Sequence, residues 1–462
     1  MTSEPAPAFS LGATGDAIIT RPVLPLEGRN DRFDQVLRTL RSTDAAVTNL
    51  EVVLAERRSY ATLPRAVPSM FQYLSAFPAM VMQSPPSILD DLSGMGIELF
   101  STANNHAFDF GRPGMERTMR ALDERGLTYA GMGPDLPAAR APGYRSTSGG
   151  RVGLVHATTS IPPGAEAGPS SAALPGRPGL NPLHVEWTYN VTEAHLEALQ
   201  EVAAAVGIED VKDTWLSREQ PRVGPEPDGY PFMHMRFRAV DPGDVGIELS
   251  LYEPDRKAVL NQVEEAAAQA DWVVATAHVH QGPNGTRNGQ ETPPFLEHFA
   301  RECIDAGADA FVGTGPHVLR GIEIYDGKPI FYSLGNFLCQ IETQDQLPAE
   351  AFAYYGIGTD DQPASLMDAR YLDDGKPRGN LAYPAYWRSI VPTCRFDEDG
   401  ALQQIDLLPI SIGRTRPRAQ RGTPFAANSA TADRIFEDLA SLSSPYGTEI
   451  DRDGLLGRIL PG

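Results

Sequence analysis

The chain has 462 residues, with 39 Lys and Arg against 60 Asp and Glu, giving a formal net charge of −21. That balance argues against nucleic-acid or anionic-membrane partners, which need basic patches, and fits an acidic surface over about two to three average domains or one large domain with insertions. Hydrophobic and charged contents of 41% and 21% are ordinary for a globular protein.

Cys303, Cys339 and Cys394 are far apart and form no CxxC spacing, so buried thiols are expected rather than a disulfide framework. The opening MTSEPAPAFSLGATGD has no basic or apolar leader region, and no run of about 18 apolar residues occurs. A soluble, cytoplasmic protein is the expectation.

In chain order, GDAIIT (15–20) reads as a first strand. DAAVTNLEVVL (44–54), with Asn49 and Glu51 set into it, reads as a second. A helical stretch around 86–95 leads to GIELFSTA, an apolar strand running straight into TANNHAFDFG (102–111). GRPGMERTMRALDERG (111–126) spaces Met115, Met119 and Leu122 as a helix does, and Gly126 supplies its C-cap. RVGLVHATTS (151–160) is the next strand.

Regularity is lost over 161–255, a Pro/Gly-rich stretch with one helix near 192–205, which reads as an insertion. It returns with a helix over 254–270, strand WVVATAHVH (272–280), a helix over 293–306 and strand ADAFVGTG (308–315). GIEIYD and KPIFYSLGNF form a hairpin across Asp326-Gly327. Residues 341–387 read as irregular and aromatic-rich. RSIVPTCRF and ALQQIDLLPISI form a hairpin about Asp397–Gly400, and a helix near 430–442 is the last predicted element. The expected division is a core over 8–160 and 256–340 and a substrate-side insertion over 161–255. A lid-like segment over 341–387 and closing strands with a tail over 388–462 complete it.

Polar residues collect where these strands end. Asp16 belongs to the first, Asn49 and Glu51 to the second, and Asn104, Asn105 and His106 to the third. His278, His280 and His317 follow the later strands. Layered α/β folds build ligand sites at the carboxyl ends of strands. Two carboxylates, an amide and three or four histidines make a mixed N/O donor set, which suits Mn²⁺, Zn²⁺ or Fe²⁺ better than Mg²⁺ or Ca²⁺. Glu51 is a residue type able to bridge two ions about 3.5–4 Å apart.

Singly, each residue has a plainer explanation. Asp16 after Gly15 also suits a turn. Glu51, between Leu50 and Val52, costs several kcal/mol in an apolar strand unless paired, metal-bound or turned to the surface. His278 and His280 would share a strand face, and either also suits a hydrogen-bonded core. His317 also suits an ordinary loop. His156, His195, His234 and His298 are read as core or solvated residues, and His184, after GRPGLNPL, as that or as substrate-facing.

The ordered set GD (15–16), NLE (49–51), ANNHAFDFG (103–111), AHVH (277–280) and GPHVLRGIEIYDGKPIFYSLGNF (315–337) resembles the capsule-synthesis protein CapA family, a branch of the calcineurin-like metallophosphoesterase superfamily. The late RGTPFAANSA and DLASLSSPYGTEI are similar to its C-terminal tail, so the likeness covers about 12–160 and 255–450. The resemblance implies a four-layer α/β/β/α sandwich and a centre of one or two divalent transition metals. Asp16, Glu51, Asn105, His278 and His317 match the ligand positions, with His280 as a substitute ligand. It further implies His106 as the acid or oxyanion contact, oriented by Asp109. Two positions depart from the pattern: Thr314 stands in GTGPH where relatives have GHGPH, and Ile18 stands where a D-x-H motif has histidine.

The function expected is a metal-dependent hydrolase of an amide bond of γ-glutamyl type, or a related carboxyl derivative, in a small or oligomeric anionic substrate. Asn49, Asn104, Arg177 and Asn181 are its expected substrate contacts. The alternatives are a phosphoesterase and a non-catalytic accessory protein of polymer biosynthesis. No GxxxxGK[ST] loop occurs, so ATP binding of that kind is not indicated.

Overall fold

The computed structural model describes residues 8–55, 80–211, 228–233 and 235–461. His234 lies outside the described residues. Two large sheets dominate. The first, of ten strands among the described residues, runs in the order Asp451–Asp453, Leu456–Ile459, Leu402–Ser411, Arg388–Phe396, Phe9–Ile18, Ala45–Leu50, Leu99–Ser101 and Thr128–Ala130. Strand Asn336–Cys339 joins it at Phe9–Ile18, and Phe425–Ala426 at Leu402–Ser411. The second, of six, runs Ile322–Tyr325, Lys328–Phe331, Ala310–Thr314, Trp272–His278, Gly150–Thr158 and Gly143–Thr147.

The central strand FSLGATGDAI is buried at every position, because it is flanked within its sheet and covered on both faces. One apolar cluster draws Leu11, Val47 and Leu99 of the first sheet against Leu154, Val274 and Val312 of the second, so the sheets share a core. On the first sheet's other face, Leu50 and Phe100 pack with Phe33, Val36, Leu37 and Leu40 of helix Asp31–Arg41. Asn30 caps that helix, its side chain accepting from Arg32 N and Phe33 N. Burying those four side chains is worth roughly 1.5–3 kcal/mol each. On the second sheet's other face, Val155, Ala275 and Phe311 meet Val259 and Val263 of helix Glu253–Gln269 and Phe299 of Pro294–Asp305.

Parallel pairing aligns strand ends. Asp16 lies opposite both Asn49 and Asn336, and His278 opposite Thr158 and Thr314. The chain therefore leaves both sheets on one side with its polar residues. At Asp326-Gly327 both residues have positive φ, 47° and 71°, as the hairpin requires.

Three segments differ from expectation. The 161–255 region contains helix Glu193–Ala205, capped by Thr192 as the sequence indicates, but also a four-stranded sheet of Val185–Val191, Tyr230–Phe232, Met235–Ala239 and Gly246–Leu251. Residues 341–387 are not irregular throughout, since Ala349–Tyr354 and Pro363–Tyr371 are helical. The last helix, Ser429–Ser443, is followed by a hairpin, Asp451–Asp453 with Leu456–Ile459, that closes the first sheet. All three cysteines are buried and free. Among the described residues no helix is long and apolar enough to cross a membrane.

Candidate metal centre

Asp16 and Glu51 are both buried beneath the strand ends. Asp16 Oδ1 accepts from Asn49 Nδ2 at 2.8 Å and Oδ2 from Gly315 N at 3.2 Å, while His317 Nδ1 lies 3.2 Å from Oδ2. Burial pushes the Asp16 carboxyl up, but the bond and charge of His317, then the charge of His278, outweigh it and hold the group low. Glu51 shows the reverse: neither carboxylate oxygen has a hydrogen-bond partner, and its nearest ring nitrogens, His317 Nε2 and His278 Nε2, stand at 3.8 and 3.9 Å. Burial, then the Asp16 charge, push Glu51 well above the usual carboxylate range.

The histidines converge on this pair. His278 Nε2 and His280 Nε2 each lie 2.9 Å from Asn105 Oδ1 and 3.2 Å from each other. Asn105 Oδ1 and two imidazole nitrogens thus meet at one point. The strand ends at His278, so His280 reaches the cluster from the following loop rather than from the strand face the sequence implied. Asn288 holds it there, with Oδ1 at 2.7 Å from His280 Nδ1 and N donating to His280 O at 3.0 Å. Burial keeps both rings neutral, taking His278 down to about 3 and His280 well below the ordinary value.

His317 sits in a left-handed conformation, φ 61°, directly after Gly315-Pro316. Strain of this kind persists where the surroundings over-determine it. Here Asn336 Oδ1 meets His317 Nδ1 at 3.0 Å, and the ring packs against Tyr386, with centroids 5.1 Å apart. Gly315 is required by packing: a Cβ on it would lie 2.8 Å from Val279 N.

TANNHAFDFG folds as a turn in which each polar residue has a separate task. Asn104 Nδ2 donates to Asn49 Oδ1 and Leu50 O, and its Oδ1 accepts from His106 N. Asn105 enters the histidine group. Asp109 Oδ2 accepts from Met82 N and meets His106 Nδ1 at 2.7 Å, which fixes the ring and leaves Nε2 for another partner.

Of the expected substrate contacts, Asn49 and Asn104 reach the cluster but are buried inside it as supports for Asp16, His278 and the turn. Arg177 and Asn181 are not brought to it. Segment 161–183 folds back on itself through bridges Gly168↔Arg177 and Glu166↔Leu180. Arg177 is exposed with Nε on Glu166 O, and Asn181 is buried with Nδ2 on His156 O. Asn288 and Asn336 were missed by sequence reasoning; the N of SLGNF was the available signal for Asn336.

The two departures from the pattern have distinct outcomes. Thr314 puts its hydroxyl 3.1 Å from His278 Nδ1, and so orients a histidine it does not replace. Ile18 is buried in the apolar core and offers no donor.

Beside the cluster lies a cavity of about 250 Å³, lined by His280, Gln281 and Arg287 on one side and by Glu166, His184 and Trp187 of the insertion on the other. The donor set fits a metal. Glu51, His280 and His317 offer atoms within 4.8 Å of one another, as do Asp16, Glu51 and His278, and Glu51 belongs to both groups. An acid with two orphaned buried oxygens, shared between two such groups, has the electrostatic need that a cation meets.

Fold and site together define a two-sheet α/β protein with a carboxylate–histidine cluster, suited to divalent metal, at its strand ends. The match to known proteins is more specific. The chain belongs to the bacterial capsule synthesis protein family PGA_cap, which it matches over residues 10–341. It is 34% identical over 457 residues to an uncharacterized protein of Sinorhizobium fredii, covering 97% of this chain and 93% of that one. It is 22% identical over 334 residues to the PGA biosynthesis protein CapA of Bacillus subtilis, covering 71% of this chain and 63% of that protein. Over 300 residues it is 28% identical to a Mycobacterium tuberculosis protein named a "probable polyglutamine synthesis accessory protein", covering 64% and 56%.

Proposed function

We propose that this protein is a metal-dependent hydrolase acting on an amide bond of γ-glutamyl type, or a related carboxyl derivative, in a small or oligomeric anionic substrate. The observation that carries it is Glu51, buried and unbonded, shared by the two donor groups. Asp16, Glu51, Asn105, His278, His280 and His317 would hold one or two ions of Mn, Zn or Fe. When bound, such ions supply Lewis acidity and lower the pKa of water to near 7.

The chain's own residues do the rest. His106, kept in one tautomer by Asp109, exchanges a proton with the departing group through Nε2. Asn49, Asn104, Thr314, Asn288 and Asn336 hold the first residues in register. The insertion walls the substrate cavity. The arrangement of two sheets sharing a core with helices outside supports the four-layer metallophosphoesterase sandwich, and with it a second reading as a phosphoesterase. An accessory role is supported by the name of the mycobacterial relative.

Elemental mass spectrometry of the purified chain beside Glu51→Ala tests the proposal. About one to two equivalents of Mn, Zn or Fe are expected in the wild type and a loss in the variant. No metal in the wild type, even after incubation with Mn²⁺ or Zn²⁺, overturns it. γ-Glutamyl amides and phosphomonoesters, tried with the metal found, separate the first two readings, and turnover of neither leaves the accessory role.

A further inference from the structure

His184 has no part in the cluster, yet it is built into the cavity beside it. Asp255, in the first turn of helix Glu253–Gln269, is buried and fixed by Arg140 Nη2 at 3.1 Å on Oδ1. Its Oδ2 meets both His184 Nδ1, at 2.5 Å, and His184 N, at 3.2 Å. Nδ1 is therefore committed, and the ring presents Nε2 to the cavity. There Glu166 Oε1 stands at 3.1 Å. The two carboxylates differ sharply in exposure, 7% for the Asp255 side chain and 43% for Glu166. Asp255 is a fixed mount, whereas Glu166 is a solvated partner of the kind whose ion pairs contribute little and exchange readily.

We propose that His184, mounted on Asp255, is the anion-recognition residue of this cavity, and that it binds a compact oxyanion, carboxylate or phosphate, which takes the place of Glu166 at Nε2. The inference rests on the hydrolase reading in that the bound group would belong to the molecule presented to the cluster.

Charge and size support it. In a chain of net charge −21, two basic side chains, Arg287 and His184, face this cavity, and among the described residues lining it Glu166 is the one carboxylate, with Asp255 behind the His184 ring. The Asp255 hydrogen bond first, then the bond and charges of Glu166 and Asp255, raise His184 to about 9 against the opposing effect of burial. The other ring in contact, Tyr252, is edge-on at 6.3 Å. A cavity of about 250 Å³ is smaller than the ~300–1,000 Å³ of sites for drug-sized ligands, so it admits one small unit of a longer molecule.

Isothermal titration of the full chain with glutarate and with inorganic phosphate tests the proposal, using wild type, His184→Gln and Glu166→Gln, each checked for folding and metal content. At least one probe is expected to bind the wild type, about tenfold more weakly to His184→Gln, and severalfold more tightly to Glu166→Gln, because the internal competitor is gone. Preference for glutarate assigns the oxyanion to a carboxylate, and preference for phosphate to a phosphate. Neither probe binding, or equal affinity across the three proteins, overturns the inference. Metal content separates the two ideas: the opposite shifts without any bound metal would sustain the anion site and sink the hydrolase.

Discussion

At the scale of single residues, the cluster divides into atoms with a partner and atoms without one. His106 has one: Asp109 occupies its Nδ1, and Asp109 is itself held by Met82 N. This pair stands outside the donor groups of Glu51, so proton transfer and metal retention should separate on mutation. His106→Gln is expected to keep full metal content while kcat falls by about 10²–10⁴, the usual share of a general acid. Loss of metal in that variant would make His106 a ligand, and unchanged kcat would remove it from the reaction. Asp109→Asn, which keeps the shape but weakens the hold on Nδ1, should lie between the wild type and His106→Gln. At this scale much was legible in the sequence. Asp16, Glu51, His278, His280 and His317 stood out by type and by position at strand ends, the family resemblance singled out Asn105 among its neighbours, and the fold brings their donor atoms together.

Elements determine how those residues meet, and the tightest constraint is between two strands. Gly15 leaves no room for a side chain: a Cβ there would lie 1.8 Å from Gly335 O, the carbonyl that also accepts from Asp16 N. Asp16 and Asn336 are register partners across that contact, so it sets Asp16 and the support of His317 at once. Gly15→Ala is expected to destabilise by about 1–3 kcal/mol as an overpacked core does, and to weaken metal retention with it. Gly243→Ala, where nothing lies within 4 Å, should stay within about 0.5 kcal/mol. Urea midpoints of the two variants, with metal content beside them, check the claim; equal midpoints would refute it. The same element scale shows what the sequence hid. Val185–Val191 pairs with Gly246–Leu251, register Val185↔Leu251, across a long separation that local periodicity cannot report. Arg177 looked available for a ligand because it sits in a Pro/Gly-rich stretch. The bridges that turn that stretch back on itself, Gly168 to Arg177 and Glu166 to Leu180, are isolated pairs that leave no periodic pattern in the sequence.

For the whole molecule, the buried histidines couple the fold to pH. His156 lies between the sheets' strand ends, with Nε2 at 2.7 Å from Ala103 O and Nδ1 at 2.8 Å from Thr276 Oγ1, and so braces the carbonyl ahead of Asn104. Burial lowers it from 6.5 to about 4. A group with a depressed folded pKa leaves stability whole above the unfolded pKa, and stability is lost as pH falls toward the folded one, because the unfolded chain binds the proton first. The window is therefore about pH 6.5 down to 4. At pH 5 the linkage amounts to about 2 kcal/mol for this one residue. Glu51 and Asp109, both raised in the fold, act with the opposite sign in the metal-free protein, so the raw pH profile mixes the two effects. Comparison with His156→Gln isolates the histidine. The variant should be less stable than the wild type at pH 7.5, through its lost bonds, and the gap should shrink by about 2 kcal/mol at pH 5, where only the wild type carries the proton penalty. Urea unfolding of both proteins at the two pH values, metal removed, measures it. A gap that stays constant would mean that His156 takes up its proton as readily in the fold as in the unfolded chain, and that burial does not hold it neutral.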